Sequence, residues 1–382
     1  MTAFVVPVAC VATVIVLFPI IYLRLVNNHW VSASVYCGLN VVEYGADLSA
    51  YTEKRCLFLA NHLGLIDHFI IMQGLHNKGR VSGNWMWVIY NIWKYTPLGI
   101  MWKAHGNFFI NGGASRKTVL LCSFRNHLRN FFYKFDYRWV VMYPEGSRLF
   151  LIKDSCARFA KEMKLRPLSN CAYPRTGAAH AVIDVLGPVR ETKEESSTFS
   201  RCGGGPPIEY IIDATLGYPK GVVPGIGLAL FGERPFLGNQ VSIHYEVFRV
   251  KPEWHDESKL REFLYKRYDE KASFILLDRL LQRFYCTNAF PGVPRPVVVS
   301  QFMMLFSERD GCVPIRNQRV IWAFDMNHLK LTGRNVAKSK IILGYDTLEQ
   351  AFQLFWIGLY YFHYIYWLRE SSNHTQQVGD AA

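Results

Sequence analysis

Cys56-Leu57-Phe58-Leu59-Ala60-Asn61-His62-Leu63-Gly64-Leu65-Ile66-Asp67 is the stretch on which the fold turns. Its first five residues form an uninterrupted apolar run, as expected of a strand buried on both faces, and Asn61, His62 and Gly64 then supply a turn. The same order of apolar run, turn and helix-like stretch recurs at Trp139–Tyr143 before Pro144 and at Ile208–Leu216 before Gly217. Such alternation predicts an α/β sheet. Val241–Val250 alternates apolar and polar side chains over one half and reads as a further strand. Glu257–Tyr285 sets Leu260, Phe263, Leu264, Tyr268, Ile275, Leu276 and Leu280 at helical spacing and reads as a long amphipathic helix. Between them, residues 190–207 carry charge, serine, a Gly-Gly-Gly run and two prolines, which predicts an exposed loop.

The turn after the first strand also carries chemistry. A histidine followed five positions on by a carboxylate suits a general base whose tautomer is fixed by an acid. In a continuous helix the two would point about 140° apart. His62 therefore belongs at the strand-to-helix turn and Asp67 on the helix behind it, the bland alternative being a capped turn with no chemistry. His68 lies beside them, but without a third clustered ligand no metal site is expected. A second block, Tyr143-Pro144-Glu145-Gly146-Ser147-Arg148, follows the strand at Trp139. A glycine, a hydroxyl and an arginine opening a helix can cradle an anion, through outward backbone N–H groups and a bidentate guanidinium. No G-x-S-x-G, P-loop or G-x-G-x-x-G pattern is present, which removes support for serine hydrolases and nucleotidases.

Composition narrows the partners. Half of the residues are hydrophobic and only 19% are charged, too apolar for a disordered chain and suggestive of a membrane. The nine cysteines are scattered and include no C-x-x-C pair, so they read as reduced thiols. The net charge of +13 is concentrated: residues 101–180 hold fourteen lysines and arginines against four acids, a field that attracts phosphate. Thr2–Leu23 carries no charge and would be roughly 30 Å long as a helix, enough to span a bilayer as an uncleaved anchor. Ala351–Leu368 is a second candidate membrane helix, and Trp85–Trp102, with four tryptophans, reads as an interfacial segment.

Together, N-H-x-x-x-x-D at Asn61–Asp67 and Y-P-E-G-S-R at Tyr143–Arg148, in this order and about eighty residues apart, resemble the glycerolipid acyltransferase family typified by 1-acylglycerol-3-phosphate acyltransferases. The family's intermediate block looks like Gly106-Asn107-Phe108-Phe109-Ile110-Asn111-Gly112, without the arginine usual near position 112, for which Lys103 or Arg116 are candidate substitutes. Its fourth block looks like Tyr173-Pro174-Arg175-Thr176-Gly177. HGNFFI, YPRTGAAHAV, IEYIIDATLGYPKG and FYCTNAFPG look like the branch acting on lysophosphatidylglycerol.

The resemblance implies a mixed sheet flanked by helices in an acyltransferase domain at 43–295; the apolar runs add an anchor and connector at 1–42 and a candidate membrane helix with a polar tail at 346–382, and 296–345 is an insert that the resemblance does not place. It implies transfer of a fatty acyl group from acyl-CoA, a co-substrate, to a lysophospholipid hydroxyl, with no metal and no bound cofactor. His62 and Asp67 would be catalytic. Asn61, Gly106, Phe108, Phe109, Glu145, Gly146, Ser147, Arg148, Pro174 and Arg175 would contact substrate. The expected partners are acyl-CoA, a lysophospholipid and the bilayer, not nucleic acid, with the protein in the endoplasmic reticulum membrane and its catalytic side cytosolic. Two alternatives remain: a lysophosphatidate acyltransferase, or a non-catalytic lipid-binding scaffold on the same fold.

Overall fold

Ala60, the last residue of the opening strand, lies in the middle of an eight-stranded sheet. The computed structural model describes residues 31, 34, 38–76, 78–95, 97–111, 117–188, 205–225, 240–284, 290–291 and 293–297. The strands are β1 (Asn40–Gly45), β2 (Cys56–Ala60), β3 (Trp85–Tyr90), β4 (Phe108–Ile110), β5 (Trp139–Met142), β6 (Tyr210–Gly217), β7 (Gln240–Arg249) and β8 (Arg295–Pro296), in the spatial order β4-β3-β5-β2-β6-β7-β1-β8. From β4 to β6 every pairing is parallel. β7 turns antiparallel against β6, β1 runs parallel to β7, and β8 closes the edge antiparallel to β1, so the sheet is mixed.

The helices are α1 (Asp67–Gly74), α2 (Pro97–Ala104), α3 (Lys117–Phe131), α4 (Leu149–Glu162), α5 (Thr176–Leu186) and α6 (Glu257–Phe284). Every residue of β2 and β5 is buried, which is why both read as continuous apolar runs rather than as alternation. On one face Leu57, Leu59, Val140, Met142 and Ile211 form a core with Phe124 and Leu128 of α3, Ala179, Val182 and Ile183 of α5, and Leu260 and Leu264 of α6. On the α1 side, Gly74 closes onto Tyr245 and Ile243 so tightly that a Cβ there would stand 2.8 and 3.0 Å from them.

One register decides the location of the site. β2 and β5 pair directly, with Leu59 opposite Met142, so the two blocks that follow them emerge side by side at the carboxyl edge of the sheet despite about eighty intervening residues.

The segment Trp85–Trp102 is a correction. It does not form one interfacial element: Trp85–Tyr90 is a strand whose tryptophans are buried, Asn91–Tyr95 is a 3-10 turn, and only then does α2 begin. Its aromatic and β-branched side chains suit a sheet, and Asn107 Oδ1 accepts the Trp87 N–H at 2.7 Å. Among the described residues no helix is long and apolar enough to cross a membrane. Thr2–Leu23, Ala351–Leu368, all but the first two residues of the insert, Gly112, Arg116 and most of the 190–207 loop lie outside the described residues.

Candidate active site

Asp67 opens α1, where a carboxylate also suits the positive end of the helix dipole. It is fully buried and saturated with donors: Oδ2 accepts the N–H groups of Leu63 (2.6 Å) and Gly64 (2.9 Å), and Oδ1 accepts the Tyr218 hydroxyl. Burial first, and the Asp67 charge second, push the Tyr218 phenol well above its ordinary value, so it remains a donor. The carboxylate then meets His62 Nδ1 at 2.8 Å. Because Asp67 accepts, Nδ1 carries the proton, which leaves the Nε2 lone pair available. The His62 side chain is 17% exposed against 0% for Asp67, so the imidazole alone of the pair reaches solvent.

His62 is fixed at four points. Besides Asp67, its N–H donates to Glu145 Oε1 of the neighbouring block at 3.1 Å, and its carbonyl accepts the N–H of Leu149, the residue that follows that block, at 3.0 Å. Its ring lies on Tyr143, with centroids 4.1 Å apart and planes 13° from parallel. Tyr143 in turn borders His68, which packs on Trp87 at 4.3 Å and is lowered to about 3 by burial and by His62. His68 is therefore neutral at physiological pH.

Several residues expected to meet substrate have side chains committed elsewhere. Asn61 is buried and clamps the end of β6: its Nδ2 donates to the Leu216 carbonyl at 3.2 Å and its Oδ1 accepts the Leu216 N–H at 2.7 Å. Glu145 is buried, with Oε2 taking the Ala172 N–H at 3.2 Å, and burial raises it to about 8 against the opposing effect of those N–H donors. Phe108 packs in the core on Phe124 at 4.8 Å, Phe109 is half-buried beside it in β4, and Pro174 is buried. Gly106 sits at φ +86°, where a Cβ would meet the Tyr137 hydroxyl at 2.7 Å, so it serves the turn into β4.

The other expected residues do gather at the mouth. Arg148 is the N-cap of α4 and lies over the Phe150 ring at 5.1 Å. Gly146, at φ +76°, lets the exposed Arg175 pass close: a Cβ would stand 3.1 Å from Arg175 Cδ. Ser147 is half-buried between them in sequence. This edge thus presents a basic imidazole nitrogen beside two guanidinium groups and a helix N-terminus, an arrangement that can deprotonate a hydroxyl while holding an anion. No group of three or more His, Cys, Asp or Glu suited to a metal ion occurs among the described residues. Tyr218 was not singled out from the sequence, although it directly follows the strand in IEYIIDATLGYPKG.

No family profile matches the chain. A Caenorhabditis elegans protein, acl-12, provisionally named a 1-acyl-sn-glycerol-3-phosphate acyltransferase, is 48% identical over 389 residues, covering 98% of this chain and 85% of that protein. Human acyl-CoA:lysophosphatidylglycerol acyltransferase 1 is 32% identical over 263 residues, 67% of this chain and 68% of its own. The crystal structure of the 1-acyl-sn-glycerophosphate acyltransferase PlsC from Thermotoga maritima overlaps 65% of this chain and 78% of that one at 13% identity, with a TM-score of 0.33, too slight a likeness to bear on the argument.

Proposed function

This chain belongs to the glycerolipid acyltransferase family and acylates lysophospholipids, and we propose that its donor is acyl-CoA, its general base His62 and its acceptor lysophosphatidylglycerol or a closely related lysophospholipid. The observation that carries the mechanism is the buried Asp67 holding Nδ1–H of a partly exposed His62 at 2.8 Å. Nε2 takes the proton from the acceptor hydroxyl as its oxygen attacks the thioester carbonyl. Asp67 stabilises the imidazolium that forms. The C–S bond then breaks, and the imidazolium returns the proton to the departing CoA thiolate, so no acyl-enzyme and no metal are required. Arg148 and Arg175, with the N-terminus of α4, hold a phosphate of the acceptor or of CoA. Acceptors with a phosphodiester head are favoured by the likeness to the lysophosphatidylglycerol enzyme; lysophosphatidate is the competing acceptor.

The substrates are amphiphiles, and the reading includes work at a bilayer. An anchor at Thr2–Leu23 would tether the protein, in the endoplasmic reticulum membrane with the site on the cytosolic side, where acyl-CoA is soluble. Support comes from exposed Tyr90 at the end of β3, Ile92 and Tyr95 after it, Phe150 and Leu151 in the first turn of α4, and Val222 after β6, all at or beyond the ends of strands that finish at the site's edge. Acyl transfer to a panel of lysophospholipids from several acyl-CoA donors, on carbonate-washed membranes, tests this. Product with lysophosphatidylglycerol and retention through the wash are expected. A folded protein with no transfer to any acceptor would leave the scaffold alternative.

A further inference from the structure

The two oxygens of Asp67 are served unequally. Oδ2 takes three donors, the Leu63 N–H, the Gly64 N–H and His62 Nδ1–H at 2.8 Å. Oδ1 takes one, and among the described residues it is the Tyr218 hydroxyl. Without that hydroxyl, half of a fully buried carboxylate would face no donor, a loss much more costly inside a protein than at its surface. The carboxylate would then tilt about its Cβ–Cγ bond or draw the proton of the pair toward itself. Either change disturbs the hydrogen bond that orients the imidazole.

Tyr218 comes from a segment outside both motif blocks, and that segment is locked to the turn it serves. It directly follows β6, two residues after Leu216, whose N–H and carbonyl are both held by the Asn61 side chain. Behind the strand, Lys271 of α6, fully buried, donates to Asp213 Oδ1 at 2.6 Å and to the Ala214 carbonyl at 2.8 Å. One turn earlier in α6, the Tyr268 hydroxyl donates to the carbonyl of Ala60, the register partner of Ala214, at 3.3 Å. Beyond Tyr218 the chain closes a 3-10 turn at Pro219–Gly221: the Gly221 N–H donates to the Tyr218 carbonyl at 2.8 Å and the Val222 N–H to the Pro219 carbonyl at 3.0 Å. Val223 then returns onto Gly64, where a Cβ would stand 2.5 Å from Val223 Cγ1 and 3.7 Å from the Tyr218 hydroxyl. The phenol thus reaches Asp67 from a backbone fixed on both sides, as a group that orients another must be.

We propose that Tyr218 is a positioning residue for the His62–Asp67 pair: its hydroxyl, held at the end of β6, anchors Asp67 Oδ1 so that Oδ2 stays aligned on His62 Nδ1–H. This rests on the reading of His62 as the base. The hydroxyl also draws off part of the Asp67 charge, and so sets how tightly the pair holds a proton. The other titratable groups packed around the pair are His68 of α1, Tyr143 of β5, whose ring lies on His62, and Glu145, which accepts the His62 N–H. The Tyr143 hydroxyl makes no hydrogen bond among the described residues, so it does not duplicate Tyr218.

The test uses the full membrane-bound chain and compares Tyr218→Phe with Asp67→Asn and with the two combined, following acyl transfer from about pH 5.5 to 9. Tyr218→Phe should lower the plateau kcat roughly tenfold, with KM for both substrates within about twofold. The pH of half-maximal rate should rise by roughly half a unit or more, because a carboxylate without that donor holds the proton of the pair more tightly. In the Asp67→Asn background the same change should cost less than about twofold. An unmoved limb, or a loss as large without the Asp67 charge as with it, would overturn the proposal and leave Tyr218 a packing residue. If Tyr218→Phe does not fold, a fluorinated tyrosine at position 218 decides: it keeps the shape and donates more strongly, so the limb should move downward, and a limb that stays in place overturns the proposal. Modification of His62 by diethyl pyrocarbonate, read by mass spectrometry over the same pH range, needs no turnover, because the reagent attacks the unprotonated Nε2. Its half-maximal pH should rise in Tyr218→Phe by the same amount as the kinetic limb. An unshifted labelling profile would overturn the proposal even in an active enzyme. The expected shift in a protein that transfers no acyl group would sink the proposed activity and keep the role of Tyr218.

Discussion

Arginines stand at both ends of the central strands, and they are used differently. At the amino end, Arg55, Arg80 and Arg138 converge on Asp136, at 2.8, 2.7 and 3.2 Å. Arg55 also donates to the Tyr137 carbonyl and Arg138 to the Glu53 carbonyl at 3.3 Å. At the carboxyl end Arg148 and Arg175 make no salt bridge among the described residues, and one of them caps a helix that has no acid in its first turn. Net charge alone would have painted the whole stretch as one phosphate-attracting field. Pairing divides it: at the amino end the arginines share Asp136 in an ion network that ties strand starts together, while at the carboxyl end the two guanidinium groups have no acid partner among the described residues and would be free for the anion of the proposed reaction.

The largest expected effect tests whether the carboxyl end is the working end at all. General-base catalysis contributes about 10²–10⁴ in rate, so His62→Ala should lower kcat for acyl transfer by at least roughly a hundredfold with expression and membrane association intact. Asp67→Asn should also be severely impaired, because it removes the charge that fixes the Nδ1–H tautomer. The two losses should not add, since both residues serve one proton transfer. Near-normal transfer by a folded His62→Ala protein would remove the chemical reading of this edge.

Next in size is the anion itself. Arg148→Ala should raise KM for the phosphate-bearing substrate by roughly tenfold or more, from the loss of a charged hydrogen bond of about 1.5–3 kcal/mol, with a smaller change in kcat. Arg175→Ala should do the same to a lesser degree. Steady-state kinetics with acceptor and acyl-CoA varied separately would tell which phosphate each guanidinium holds, and unchanged KM for both substrates would erase the contrast between the two ends.

Buried titratable groups at the two ends of the sheet also give stability opposite pH dependences. His68, held to about 3, and His105, held to about 4 by burial, stay neutral in the folded chain while the unfolded chain protonates them below about 6.5. Unfolded protein then binds more protons, so stability should fall as pH drops from 6.5 toward 4, by at most about 1.4 kcal/mol per pH unit for each histidine. Glu145, raised to about 8 by burial, has the reverse sign: the folded chain keeps a proton that the unfolded chain releases above about 4.5, so its contribution should fall as pH rises from about 4.5 to 8 and level off beyond. Thermal unfolding across pH 4.5–9 should show both limbs, with His68→Gln flattening the acid one and Glu145→Gln the alkaline one.

What could be read beforehand follows from the same physics. β2, β5, β6, β7 and α6 were legible because their apolar pattern is dictated by burial on known faces, and the pairing of His62 with Asp67 was legible because a helix forbids the alternative orientation. β3 was misread because Trp and Ile serve a sheet core as well as a membrane interface, and β4 is only three residues long. The roles of Asn61 and Glu145 were not legible: both are polar residues inside a signature, and only the register of β2 against β5 and β6 shows that their side chains face protein backbone. Lys271 left a trace, since it lies three residues after Tyr268 on the apolar stripe of α6, where a charge should be buried only with a partner.

The smallest expected effect is at the amino end, and it is the sharpest control on the contrast. Arg80 and Asp136 are 54% and 46% exposed, so their 2.7 Å pair belongs to the class of surface ion pairs that contribute about 0–1 kcal/mol. Asp136 retains Arg55 and Arg138, which further limits the loss. Arg80→Ala should therefore lower the unfolding midpoint slightly and leave kcat and both KM values within twofold. Its effect should shrink further in high salt, where exposed charges are screened. If Arg80→Ala instead raised KM as Arg148→Ala is expected to, the amino end would also be meeting phosphate, and pairing with Asp136 would not be what separates structural arginines from binding ones in this protein.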